Sequence, residues 1–364
     1  MTQRPPAAVG QRIEEVDTPA LILDLDAFEK NLDTLARAVA GRTRVRAHAK
    51  THKCPEIAKR QIAAGAVGVC CQKVSEAEAL VEGGVRDVLV SNEVVGPAKI
   101  ARLAALSRQA QLGVCVDNLD NLRQIAATGA PLDVYIELEV GMGRCGIAPG
   151  EPALALAREI VRSPNLRFGG LQAYHGRAQH VRSMAERRAC IAGAADAVRA
   201  TKRVLEKEGI TTPLVTGAGS GTFMFEVESG AWDEIQPGSY IFMDVDYARN
   251  EWAAPLPRFQ HALFVLATVM SRPSAGAAIV DAGLKASSVD SGMPTVWGKE
   301  ELRYTKASDE HGFIEGREPP LLGEKLLLVP GHCDPTVNLY DWYVCVRRNL
   351  VEALWPITAR GALL

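Results

Sequence analysis

The chain has 364 residues, 47% hydrophobic and 23% charged, a balance that places it among ordinary globular proteins and sets aside a disordered or fibrous one. Its net charge of -2 offers no basic surface for nucleic acid and no attraction to an anionic membrane, and no apolar run approaches the roughly 20 residues of a membrane span. The opening Met-Thr-Gln-Arg-Pro-Pro-Ala-Ala lacks the apolar core of a secretory signal, and the eight cysteines contain no CxxC pair, so a reducing cytoplasm is expected.

From residue 20 to about 220, short apolar runs alternate with longer amphipathic segments. The runs at 20–26, 44–50, 68–73, 88–92, 112–117, 134–140, 168–174 and 214–218 read as strands, and 27–39, 55–64, 75–82, 97–109, 119–128, 151–162 and 183–208 as helices. Such repetition predicts an α/β fold with a (β/α)8 barrel over residues 17–250; a doubly wound sheet is the alternative. After residue 250 the runs 262–270, 277–281, 325–330 and 342–347 are strand-like and broken by Gly, Pro and Asp. They predict a smaller, mostly β domain over 251–364, with the Pro-rich residues 1–16 packed along it.

Within that frame, residues 44–53 (Arg-Val-Arg-Ala-His-Ala-Lys-Thr-His-Lys) carry the strongest chemical signal. Strand alternation puts Arg46, His48 and Lys50 on one face and Val45, Ala47 and Ala49 on the other. A row of cations inside a barrel needs anionic partners or a lowered pKa, and a lysine so held is a candidate amine nucleophile. An edge strand with a solvated basic face is the plainer alternative. In 134–140, Tyr135, Glu137 and Glu139 share the inward face, so these carboxylates are expected to pair with Arg46 and His48.

Two glycine-rich segments follow late in the barrel, Thr-Gly-Ala-Gly-Ser-Gly-Thr at 216–222 and Gln-Pro-Gly-Ser-Tyr at 236–240. At that position they suit a phosphate held by backbone N–H groups; singly, each also reads as a turn. Further on, Gly331-His332-Cys333-Asp334-Pro335 ends an apolar run. In extended backbone His332 and Asp334 point the same way, and an imidazole with a carboxylate suits a divalent ion with coordination positions left for water and substrate. A simple turn closed by Asp-Pro is the alternative.

Together these segments resemble the fold-type III, alanine racemase-like pyridoxal-phosphate enzymes, and within them the D-threonine aldolase, 3-hydroxy-D-aspartate aldolase and D-serine dehydratase group. The likeness rests on 46–53, Gly-Val-Cys-Cys-Gln-Lys-Val-Ser-Glu-Ala-Glu (68–78), Ser-Asn-Glu-Val-Val-Gly-Pro-Ala-Lys (91–99), Gly-Met-Gly-Arg-Cys-Gly (141–146) and Gln-Ala-Tyr-His-Gly (172–176). It continues through Gln-Pro-Gly-Ser-Tyr (236–240), Asp-Ala-Gly-Leu-Lys (281–285) and Pro-Gly-His-Cys-Asp-Pro-Thr (330–336). The resemblance implies pyridoxal 5'-phosphate with Lys50 as its Schiff-base lysine, Arg144 near the phenolic oxygen, Tyr174 beside the ring and Gln72 on the cofactor or its support. Ser220, Gly238, Ser239 and Tyr240 would hold the phosphate. Gln236 stands where alanine racemases carry an arginine on the pyridine nitrogen, which argues against a racemase. His332 and Asp334 match the group's metal site for Mn, Mg, Ca or Zn, and His-x-Asp in place of the dehydratases' His-x-Cys favours the aldolases.

The implied reaction cleaves a small-molecule D-3-hydroxy amino acid to glycine and an aldehyde, with His180 or a metal-bound hydroxide as base. His52 and Lys53 stand close enough in sequence to assist. Cleavage of 3-hydroxy-D-aspartate to glyoxylate needs a further cation, for which Arg177 is a candidate. Dehydration is a third reading, and a non-catalytic cofactor-carrier barrel a reading of another class. The family also implies a homodimer.

Overall fold

The computed structural model describes residues 3–254 and 256–364, so residues 1–2 of the N-terminal segment lie outside it. The chain runs β1 (Ala20–Asp24), α1 (Leu25–Val39), β2 (Arg44–His48), α2 (Pro55–Ala63), β3 (Gly68–Cys71), α3 (Val74–Glu82), β4 (Asp87–Glu93), α4 (Pro97–Leu106), β5 (Gln111–Val116), α5 (Leu119–Ala126), β6 (Leu132–Leu138), α6 (Glu151–Arg162), β7 (Leu166–Ala173), α7 (Met184–Lys207), β8 (Val215–Gly217), α8 (Phe223–Ser229) and β9 (Glu234–Ile235). After α9 (Val245–Ala248) come β10 (Leu263–Ser274), β11 (Ala277–Val280), β12 (Thr295–Val296), β13 (Arg303–Ala307), β14 (Gly312–Glu315), β15 (Lys325–Val329), α10 (Cys333–Val337), β16 (Trp342–Arg347) and β17 (Leu350–Pro356).

Strands β2 to β9 close a parallel barrel, sealed where Arg44 and Val45 pair with Glu234 and Ile235. Outward-facing Val45, Ala47, Val69, Val88, Val114, Val134 and Ile136 join the helices' apolar faces in one core, while Cys70, Leu89, Cys115, Tyr135 and Leu214 fill the barrel's interior. Each helix starts where the sequence stops extending: Asp24 caps α1 by accepting the Ala27 N–H at 3.0 Å, and Asn118 caps α5 through Asp120 and Asn121.

One strand belongs elsewhere than its sequence position suggests. By its place in the alternation, the run at 20–26 reads as the first barrel strand. Instead β1 pairs antiparallel with β10 and parallel with β16, inside the nine-stranded sheet that the rest of the chain builds. Its place in the barrel is filled by β9, two residues long. A fully apolar run such as Ala20–Leu23 fits the middle of any two-sided sheet, and a two-residue strand leaves no periodicity to read. The N-terminal segment lies along β17, with Gly10 and Ile13 donating to the carbonyls of Val351 and Asn349.

Candidate active site

A cavity of about 260 Å³ opens at the C-terminal ends of the barrel strands, the face that carries chemistry in this architecture. Apart from one residue, the walls come from strand ends: His48 ending β2 with Lys50 and Thr51 after it, Gln72 after β3, Ser91 on β4, Arg144 after β6, Gln172 and Tyr174 at β7, Ala218–Ser220 after β8, and Gln236, Gly238 and Ser239 after β9. Tyr247 of α9 closes one side.

Lys50 is partly exposed to this cavity and contacts Asp334 from the first turn of α10. Burial works against the ammonium, but the Asp334 carboxylate outweighs it and holds the Lys50 pKa above its usual range. Burial likewise works against the Asp334 charge, and Lys50 reverses it, keeping that carboxyl well below the ordinary range. The pairing joins the barrel to the C-terminal sheet region at the site. Beside it, His48 is buried between Gln72 Nε2 at 3.0 Å and Ser91 Oγ at 3.4 Å. Burial and then the Lys50 charge push its pKa well down, so the ring is neutral.

The other inward cation, Arg46, does not meet the carboxylates expected of it. Its Nε donates to Glu234 at 2.9 Å and its Nη1 to Asp87 at 2.6 Å. Those acids stand at the closing strand β9 and the entry of β4, level with Arg46 near the barrel floor. Glu137 lies higher, 3.7 Å from Arg144, and Glu139 lies beyond the strand end, where it accepts the N–H groups of Gly141 and Gly143. Alternation gives a residue's face and not its height, which the barrel's stagger decides. Burial, then the neighbouring Glu93, push the Glu137 pKa up to about 8.

Arg144 lies 5.8 Å from the Tyr174 ring centre. Gln236 is buried, its Nε2 donating to Thr216 Oγ1 at 2.8 Å and Gln172 Oε1 at 2.9 Å. Among the described residues, the N–H groups of Gly219, Ser220, Gly238 and Ser239 find no protein acceptor, and all four residues line the cavity. Ala218 is held at φ 70°, a conformation costly for a residue with a Cβ. A Cβ on Gly238 would stand 2.5 Å from Thr51 Oγ1. Free N–H groups converging on a tight glycine wall suit a phosphate. Tyr240 differs from the other residues expected there: its phenol turns away to Gln61 Nε2 at 3.2 Å, and only its backbone takes part, donating to Ser220 Oγ at 2.9 Å.

His332 and Asp334 are close to each other, though not by strand alternation. His332 is extended and caps α10, whose first turn carries Asp334. The His332 Nδ1 bonds Asp290 Oδ2 at 2.8 Å, leaving Nε2 as the available donor. Among the described residues no three His, Cys, Asp or Glu side chains converge on one point, so an ion here could draw on at most this pair as protein donors. His180 is not among the residues lining the cavity but packs against Tyr247, which is, with its Nδ1 on Asp246 Oδ2 at 2.5 Å and its ring 5.6 Å from the Tyr247 ring. His52 is fully buried against Gln61, and Lys53 is paired with Glu76; both point away from the cavity. Sequence reasoning missed Asp246, Asp290 and Gln172. Gln172 sits inside a stretch already singled out, but nothing local marks either aspartate, since each acts across a fold contact.

Similarity to known proteins agrees with this geometry. The family model "Alanine racemase, N-terminal domain" matches residues 23–246, and "Putative serine dehydratase domain" matches 262–346. The chain is 49% identical to a D-threonine aldolase of Arthrobacter sp over 98% of its own length and 96% of that protein. It is 46% identical to a 3-hydroxy-D-aspartate aldolase of Paracoccus denitrificans (strain Pd 1222), over 98% and 95% respectively. The crystal structure of D-threonine aldolase from Filomicrobium marinum superposes with a TM-score of 0.97 at 50% identity, covering 99% of this chain and 100% of that one. With barrel, second sheet and full-length likeness in agreement, the chain belongs to the alanine racemase-like, fold-type III family, in its D-threonine aldolase and 3-hydroxy-D-aspartate aldolase group.

Proposed function

We propose that this protein is a pyridoxal-phosphate- and divalent-metal-dependent aldolase that cleaves D-3-hydroxy amino acids of the D-threonine type to glycine and an aldehyde, working as a homodimer. The observation that carries this reading is the meeting of Lys50, which lines the cavity, with Asp334, beside a glycine cradle whose free N–H groups line the same cavity. Lys50 would hold the cofactor's aldehyde carbon, the cradle its phosphate, and Arg144, Tyr174 and Gln236 its ring. When bound, pyridoxal phosphate supplies an electron sink for the pair released at the substrate's Cα. His332 Nε2 and Asp334 would hold a hard or borderline divalent ion, which would supply Lewis acidity toward the β-hydroxyl oxygen, and Asp290 fixes the His332 ring in the orientation this needs.

The chain's own groups do the rest. His180 is the base: Asp246 holds its Nδ1, so Nε2 takes the β-hydroxyl proton as the Cα–Cβ bond breaks and the C–O bond becomes a carbonyl. The same proton balance requires one proton to be delivered to Cα before glycine leaves, and Lys50, in the cavity beside Asp334, would deliver it. Neutral Gln236, held by Thr216 and Gln172, would place no formal charge against the cofactor's ring nitrogen.

A second reading, cleavage of 3-hydroxy-D-aspartate, is favoured by Arg177. It is exposed, makes no ion pair among the described residues, and would lie 3.3 Å from a Cβ on Gly143, beside Arg144. The deciding experiment supplies purified protein with D-threonine, L-threonine and D-3-hydroxyaspartate and identifies the products. Glycine with acetaldehyde or glyoxylate from the D-compounds supports the proposal and ranks the substrates; ammonia with a ketoacid overturns it.

A further inference from the structure

Behind the glycine loop runs a buried chain of polar groups that the chemistry above leaves unused. Gln179, in the short turn after Tyr174, is fully buried. Its Oε1 accepts the Gly221 N–H at 2.9 Å, and its Nε2 donates to Thr222 Oγ1 at 2.7 Å. A Cβ on Gly219 would stand 2.5 Å from Gln179 Oε1, and one on Gly221 would stand 2.7 Å from the Gln179 carbonyl oxygen, so this residue moulds the loop from behind. Asn250 fixes that carbonyl at 2.9 Å. Thr222 Oγ1 passes its one proton on to Glu226 Oε1 at 2.7 Å.

The chain ends on an anomaly. Glu226 is 1% exposed, and its Oε2 is buried with no partner. A carboxylate so placed, with one neutral donor, is costly to ionise. Burial accordingly pushes its pKa up to about 8, so the group carries a proton at neutral pH. No ion pair reaches it among the described residues. Of the charged groups on elements packed against α8, Arg188 is taken by Glu228 and the Phe225 ring, and Arg199 by Asp196 and the Ser229 carbonyl. On the cavity side, burial foremost pushes the Tyr174 pKa up, and an ionised Glu226 adds only a lesser push in the same direction.

We propose that Glu226, acting through Thr222 and Gln179, is a positioning residue that keeps the glycine loop set for a phosphate group, and that its protonation is linked to occupancy of that loop. The inference rests on the loop's phosphate-holding role given above. An ionised Glu226 repels a phosphate dianion, so phosphate binding favours the protonated carboxyl and, reciprocally, phosphate affinity falls as Glu226 ionises with rising pH.

The test titrates apo-protein with pyridoxal phosphate and with pyridoxal, which lacks the phosphate, following bound-cofactor absorbance in wild type and Glu226→Gln. Taking the ratio of the two affinities cancels the pH dependence of Lys50. In wild type this ratio is expected to fall as pH rises from about 7 to about 9, the range over which Glu226 ionises. In Glu226→Gln it stays flat. An equal fall in the variant overturns the proposal. Equal affinity of wild type for the two compounds at neutral pH removes the phosphate-holding role of the loop, and the proposal with it. Should the variant fail to fold, the phosphorus resonance of wild-type holoenzyme decides: a shift moving with a midpoint above about 8 is expected, because the bound phosphate holds the proton on Glu226, and a flat one overturns the proposal.

Discussion

Replacing Arg46 with Met tests the barrel at the seam that positions the site. Arg46 links β2 to Glu234 on the closing strand β9 and to Asp87 at the entry of β4. Glu234 is 1% exposed, and without Arg46 the Thr216 hydroxyl remains as its side-chain donor. Met matches the length of the arginine stem, so the loss is mainly electrostatic: a buried carboxylate left uncompensated costs about 3–5 kcal/mol. Unfolding entropy near 2.1 cal/mol/K per residue gives about 0.8 kcal/mol per kelvin for a chain of this size, so the melting midpoint should fall by about 4–7 °C. Thermal melts followed by far-ultraviolet circular dichroism measure it. Removing the orphan as well, in Arg46→Met with Glu234→Leu, should recover more than half of the loss, because a buried ion pair and an apolar pair of similar volume are close in stability. A fall below about 1 °C for the single variant, or a double variant no more stable than the single, would refute the reasoning.

Further outcomes follow from the site. Lys50→Ala should fold but show no protein-bound visible absorbance after incubation with pyridoxal phosphate and desalting; a wild-type spectrum would contradict the role given to this lysine. Because the folded Glu137 pKa is raised from 4.5 to about 8, its contribution to stability is complete below 4.5 and is lost as pH rises toward 8. Glu137→Gln should therefore flatten the decline of the urea midpoint across that window, and an unchanged slope would show that Glu137 does not cause it. His180→Gln should lower kcat on D-threonine by about 10²–10⁴-fold with cofactor absorbance and KM nearly unchanged; an unaltered kcat would remove His180 as the base.

Much of this architecture is legible in the sequence because barrel strands carry their own punctuation. Pro97 and Pro152 open helices, and β6 alternates cleanly between an apolar outer and a polar inner face. Alternation over 44–50 points to Lys50, but the strand ends at His48 and Lys50 lines the cavity from the turn that follows, so it is the strand's end rather than its facing that puts the lysine there. What escapes is decided by tertiary contact. Nothing within Ala20–Asp24 says which sheet it joins, and Arg46 finds Glu234 because the barrel closes there. His332 and Asp334 come close through the first turn of α10, although extended backbone was the reason for expecting it. Asp246 and Asp290 become visible once the fold sets them against His180 and His332.

The most direct test of metal-assisted cleavage at this site is glycine release from D-threonine by wild type and Asp334→Ala, measured before chelation, after it, and after adding back Mn. Wild-type activity should vanish on chelation and return with the metal, while Asp334→Ala stays inactive throughout with its cofactor absorbance intact. Glycine release that survives chelation in wild type, or that persists in Asp334→Ala, would contradict it.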